Sequence, residues 1–139
     1  MKTYEGRRHE GAALVTVNGK PLDPCTDIRS HSPSGLEWGY AGSGPAQLAL
    51  ALVADFLRIR ELRCTCPDIP EKRRFEVYHE AACALGVTLE RLSRTYQRFK
   101  ELFVVRFKRD GWSLSEEDVR VGLLELEHEE RARGKMGGA

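Results

Sequence analysis

The sequence predicts an α+β fold, a small N-terminal antiparallel sheet packed on a central helix with three further helices. Three observations carry that expectation. An Asn18-Gly19 pair follows the alternating, β-branched segment Ala13–Val17. The stretch from Ala46 to Ala54 is apolar except for Gln47. Strand-like patterns fill the first forty residues and helical patterns follow them, an order that separates α+β from repeated βαβ units.

The elements follow in order. Lys2-Thr3-Tyr4-Glu5-Gly6 reads as a short strand and Ala13-Leu14-Val15-Thr16-Val17 as a second. Asn18-Gly19 suits a type I′ hairpin turn, in which both central residues need positive φ. Lys20-Pro21-Leu22 returns from that turn, and a proline without an N–H belongs at an edge or in a short strand. Residues 23–35 are dense in Pro, Asp, Ser and Gly and read as a loop. Leu36-Glu37-Trp38-Gly39-Tyr40 alternates and reads as a further strand.

A helix is expected from about 45 to 60. Ser43 or Gly44 can cap it, and Pro45 suits its first position because an N–H there lacks a partner anyway. Leu48, Leu52, Phe56 and Ile59 form one stripe, and Leu50, Val53 and Leu57 fill the other side. A helix apolar over most of its circumference is covered by other elements, so this one is the expected core. Residues 61–70 read as a loop, 71–85 as a helix stopped by Gly86, and 89–107 as a helix capped by Thr88. Asp110-Gly111 reads as a turn. Ser113 or Ser115 caps the last helix, with Glu116, Glu117 and Asp118 in its first turn and Val119, Leu123 and Leu126 at helical spacing. One domain is expected over 1–133, with a flexible tail at 134–139.

The chain has 139 residues, 41% hydrophobic and 31% charged, with a formal net charge of +1. That composition is globular, and that charge gives no whole-molecule field toward nucleic acid or membrane. No apolar run reaches the roughly 20 residues of a membrane span. No apolar segment follows Met1 in the manner of a signal peptide, which implies a cytoplasmic protein. Its four cysteines are then read as thiols or metal ligands before disulfides.

The stretch Leu36 to Leu52, with Trp38, Gly39, Tyr40, Gly42, Ser43, Gly44 and Pro45 leading into Ala46-Gln47-Leu48-Ala49-Leu50, resembles an uncharacterised family of small phage, prophage and bacterial proteins. Tyr4-Glu5-Gly6, Tyr96-Gln97-Arg98-Phe99-Lys100 and Gly111-Trp112-Ser113-Leu114 add to the resemblance. It implies a phage-type protein acting in a bacterial host cell and supplies no residue roles. In size and character the chain is also similar to a small Thermus phage factor that binds host RNA polymerase. That similarity implies a regulator that binds a host protein, with RNA polymerase the first candidate, to inhibit or redirect transcription.

Other readings rest on the residues alone. Gly42-Ser43-Gly44 at a helix N-terminus offers free N–H groups to a phosphate, the basis of an enzyme or ligand-binding reading. It lacks the lysine and spacing of a P-loop, and a tight strand-to-helix turn accounts for it as well. Trp38 and Tyr40 read as packing residues, one of them a candidate interface anchor. Cys64, Cys66, His79 and Cys83 have zinc-type chemistry, but a single residue between the first two cysteines falls short of the usual spacing, so no metal and no cofactor are expected. Cys25 reads as an ordinary thiol, and His9, His31 and His128 as solvent-exposed. No catalytic constellation stands out, so the chain reads as a binding protein rather than an enzyme.

Charge is uneven. Arg91, Arg94, Arg98, Lys100, Arg106, Lys108 and Arg109 make 91–109 basic, while Glu125, Glu127, Glu129 and Glu130 make the last helix acidic. Arg91, Arg94 and Arg98 share a helix face, which suits nucleic acid or an acidic partner. The alternative is that the two helix faces simply attract each other. The expected partner-binding residues are therefore Arg91, Arg94 and Arg98 with Leu123 and Leu126.

Overall fold

The computed structural model describes residues 1–33, 35–59 and 89–137. The expected helix at 71–85, its stop at Gly86, the Thr88 cap and the Cys64, Cys66, His79 and Cys83 group lie outside the described residues.

A four-stranded antiparallel sheet has the order β3-β2-β1-β4. β1 is Thr3–His9, β2 Ala12–Val17, β3 Lys20–Pro21 and β4 Gly111–Ser115. The Asn18-Gly19 turn forms as expected, with φ of 50° and 81° and Val17 paired to Lys20. Asn18 also ties the turn to β1, its Oδ1 accepting from the Thr3 N–H at 2.9 Å. The preceding turn, Glu10-Gly11, also has positive φ at both positions, 50° and 82°.

β4 corrects the sequence reading. The turn lies at 109–110, and Gly111–Ser115 beyond it is a strand, pairing Tyr4 with Leu114 and Gly6 with Trp112. Ser113 lies within it, and Ser115 alone caps the following helix. The Ser115 Oγ accepts from the Asp118 N–H at 3.0 Å, and the Asp118 carboxylate accepts from the Ser115 N–H at 2.9 Å. The expected strand at 36–40 does not form. The chain turns at Gly39, whose φ is 85°, and the Gly39 N–H donates to the Val104 carbonyl at 3.1 Å instead of to a strand.

α1 spans Ser43–Phe56, and every residue from Gly44 to Ala54 is buried. It starts two residues earlier than expected. Gly42 is the N-cap without a side-chain bond, so neither Ser43 nor Gly44 caps, and Pro45 is the third helical residue. The missing proline N–H costs nothing there, because the first intrahelical bond runs from Ala46 to Gly42 at 3.1 Å. The helix closes earlier too, with Arg58 in the left-handed region at φ 54° and its N–H on the Asp55 carbonyl. Phe56 ends up half-buried, where full burial was expected.

α2 spans Leu89–Leu102 and passes into a 3-10 turn at Val104–Arg106, so the regular helix stops short of 107. α3 spans Glu116–Gly137 and carries helix into the segment read as a tail. The core joins Tyr4 and Val15 of the sheet to α1, and α1 to Leu92, Tyr96 and Phe99 of α2 and Val119 and Leu126 of α3. No helix among the described residues is long and apolar enough to cross a membrane.

Candidate interaction site

Two surfaces emerge from the residues singled out by the sequence. The first is a groove between α2 and α3, with a volume of about 440 Å³. All five expected partner-binding residues line it: Arg91, Arg94 and Arg98 from α2, Leu123 and Leu126 from α3. Leu57, Leu92, Leu123 and Leu126 provide its apolar side chains. Leu126 is buried and Leu123 half-buried, so the apolar stripe is largely covered.

The arginines are engaged with the neighbouring helix. Arg98 reaches Glu129 at 3.1 Å and Glu101 at 2.8 Å. Arg91 and Arg94 each lie 3.6 Å from Glu130. Hydrogen bonds from Arg98 hold the Glu129 carboxyl below the usual carboxylate range and raise the guanidinium in turn. The two oppositely charged faces thus attract each other, the alternative that the charge pattern left open. Such solvent-exposed pairs contribute little stability and are screened by salt.

The second surface is built around the loop before α1. Trp38 is 1% exposed, and its Nε1 donates to the Lys108 and Arg109 carbonyls at 3.0 and 3.1 Å. Arg8 lies 4.5 Å from the centre of the Trp38 ring and grips Glu37 with two bonds of 3.0 and 2.8 Å. Those bonds hold the Glu37 carboxyl low. Trp112 meets Trp38 edge-on and stacks on Phe107. It also lies so close to β1 that a Cβ on Gly6 would sit 2.2 Å from its Nε1.

Tyr40 has the opposite fate and is 50% exposed. Its ring lies across the Gly42-Ser43-Gly44 turn. A Cβ on Gly42 would come within 2.7 Å of the ring, and one on Gly44 within 2.6 Å of the Glu37 side chain and 3.0 Å of the Tyr40 hydroxyl. The glycines therefore admit Tyr40 and Glu37 over the start of α1. With an aromatic ring and a carboxylate-bearing side chain already there, the close-packing reading fits this turn better than the phosphate reading.

Two buried features carried no sequence signal. Gln47, 0% exposed in α1, holds the 24–32 loop. Its Oε1 accepts from the His31 and Ser32 N–H groups at 2.7 and 3.3 Å, and its Nε2 donates to the Pro24 and Arg29 carbonyls. His31, expected to be exposed, is half-buried with Nε2 2.7 Å from the Tyr96 hydroxyl. Burial, with Arg29 and Lys100 nearby, lowers its pKa. His9 and His128 are exposed, and Cys25 is a buried thiol. Among the described residues no group of three or more His, Cys, Asp or Glu is placed to hold a metal ion.

Comparison with known proteins finds one relation. The profile of a family of unknown function (DUF6166) matches residues 4–65. That segment covers β1 from Tyr4 onward, β2, β3, the Trp38–Tyr40 loop and α1, and ends before α2, β4 and α3. No curated protein and no solved structure matches the chain.

Proposed function

We propose that the chain is a phage-type regulatory protein that binds a bacterial host protein through the groove between α2 and α3, with RNA polymerase the first partner to test. The observation that carries this reading is the convergence of Arg91, Arg94, Arg98, Leu123 and Leu126 on one groove. Interfaces draw affinity from a few arginine and apolar anchors that leave water together. Here leucines stand beside arginines whose present partners include the surface carboxylates Glu90, Glu101, Glu129 and Glu130. A partner segment bearing apolar and acidic side chains would replace those carboxylates at little cost and cover the leucines. The resemblance to small phage and prophage proteins suggests the host, and the similarity to the Thermus phage factor suggests the regulatory role.

The test is direct. Immobilised protein at near-stoichiometric amounts is presented with purified bacterial RNA polymerase. Retention is expected, and Arg98→Glu, which sets a carboxylate against Glu101 and Glu129, should weaken it. Absence of any polymerase subunit removes that partner. A host protein captured from lysate with affinity unchanged by both Arg98→Glu and Leu123→Glu would place the interface away from the groove.

A further inference from the structure

The basic run from 91 to 109 divides in two. Arg91, Arg94 and Arg98 face the glutamates of α3. Arg106, Lys108 and Arg109 lie past the end of α2, all exposed. Among the described residues no carboxylate forms a salt bridge with any of these three.

Their backbone is fixed from below. The Gly39 N–H holds the Val104 carbonyl, Trp38 Nε1 holds the carbonyls of Lys108 and Arg109, and Arg8 Nε donates to the Arg109 carbonyl at 2.8 Å. The same contacts fix the neighbouring loop. Gly39, at φ 85°, reverses the chain so that Trp38 goes into the core while Tyr40 stays half outside. The Tyr40 ring lies against Gly42 and its hydroxyl near Gly44, and half of the residue's surface stays in solvent.

We propose that Tyr40, Arg106, Lys108 and Arg109 form a binding surface for single-stranded nucleic acid, with the Tyr40 ring as a stacking platform and the three cations on the phosphates. Unpaired bases offer flat faces to an aromatic ring, and the backbone that joins them supplies the negative charge. A duplex keeps those faces inside its own stack. An acidic peptide meets the cations but has less use for an exposed aromatic ring. The surface uses none of the groove residues, so it stands or falls apart from the host-protein reading.

The experiment is fluorescence anisotropy of a labelled single-stranded deoxythymidine 15-mer titrated with the full chain at low salt. Binding is expected, with log K falling against log salt at a slope near −2, about 0.7 for each of three phosphate contacts. Arg109→Glu and Tyr40→Ala should each weaken it about tenfold. Tyr40→Phe, which keeps the ring, should restore it, and Arg91→Glu should leave it unchanged. Thermal melting checks that each variant is folded, and Arg106→Glu substitutes for any that is not. No binding at the lowest salt overturns the proposal. So does equal affinity for Tyr40→Ala, for a duplex of the same length, or for poly-glutamate, the last pointing to an acidic protein instead.

Discussion

Gln47 shows how one polar side chain can fix a loop that sequence patterns describe only as irregular. It has one carbonyl and one NH₂, and the 24–32 loop uses both, with two donors on the oxygen and two acceptors on the nitrogen. Replacing it by leucine strips those four part-buried or buried backbone groups of their side-chain partner, at up to about 1–3 kcal/mol for each that water does not reach. We expect Gln47→Leu to destabilise by about 3 kcal/mol or more in urea titration, despite the gain in apolar character. A loss below about 0.5 kcal/mol would mean that the loop finds other partners. His31, held by the same side chain, makes stability depend on pH. Its folded pKa lies below the ordinary 6.5, so the unfolded chain takes up the proton first. Stability from this group is present above that value and declines as pH falls from 6.5 toward the lowered folded pKa. Melting temperatures across that range should fall in the native chain and fall less in His31→Gln. In the sequence Gln47 looked like an interruption of an apolar run. Its partners lie 15 to 23 residues away, and no local pattern announces them.

At the scale of elements, α1 and the Asn18-Gly19 hairpin were legible because their causes are local. A turn that needs positive φ at both positions selects Asn-Gly, and continuous burial selects continuous apolarity. β4 was hidden because its cause is remote. Five residues that include two serines and begin with the glycine of Asp110-Gly111 look like a turn and a cap until Tyr4 and Gly6 pair with them. Leu36–Tyr40 misled in the reverse direction, since its alternation comes from Trp38 going in and Tyr40 staying out around a glycine turn. The basic face of α2, the acidic run of α3 and their attraction as one of two readings were legible, but the individual pairings were not, because Glu129 is 31 residues beyond Arg98. α3 gives a sharp test of its own orientation. Leu126 is 6% exposed and Leu124 is 47% exposed, two residues apart on opposite sides. Leu126→Ala should cost about 2–5 kcal/mol, whereas Leu124→Ala should stay within about 0.5 kcal/mol. Equal effects in denaturant titration would mean that this helix is seated otherwise. Leu52→Ala in α1 belongs with the first class, at about 2–5 kcal/mol.

Across the whole molecule, the two candidate surfaces are held by different parts of the fold. The groove depends on how α2 meets α3. The Tyr40 surface depends on Arg8, Glu37 and Trp38, which tie β1 and the loop before α1 to the backbone at 108 and 109. Arg8→Ala should therefore loosen the second surface and spare the first. Oligonucleotide affinity should fall while any polymerase binding stays within about twofold, a difference of roughly 0.4 kcal/mol. The result to watch for is a parallel loss of both, which would indicate a general loss of folding rather than two separable sites.

The pairing of β4 with β1 also governs when this protein can exist at all. Strand 111–115 must find strand 3–9 across about a hundred residues of chain, a separation that slows the search for the native arrangement. During synthesis the N-terminal hairpin and α1 emerge first, with Tyr4 and Gly6 still missing the neighbours that Trp112 and Leu114 provide. The sheet is closed only after the turn at 109–110 has left the ribosome. A nascent chain stalled near residue 65 should accordingly be protease-sensitive, and protection should arrive abruptly once 111–115 and α3 are free to dock.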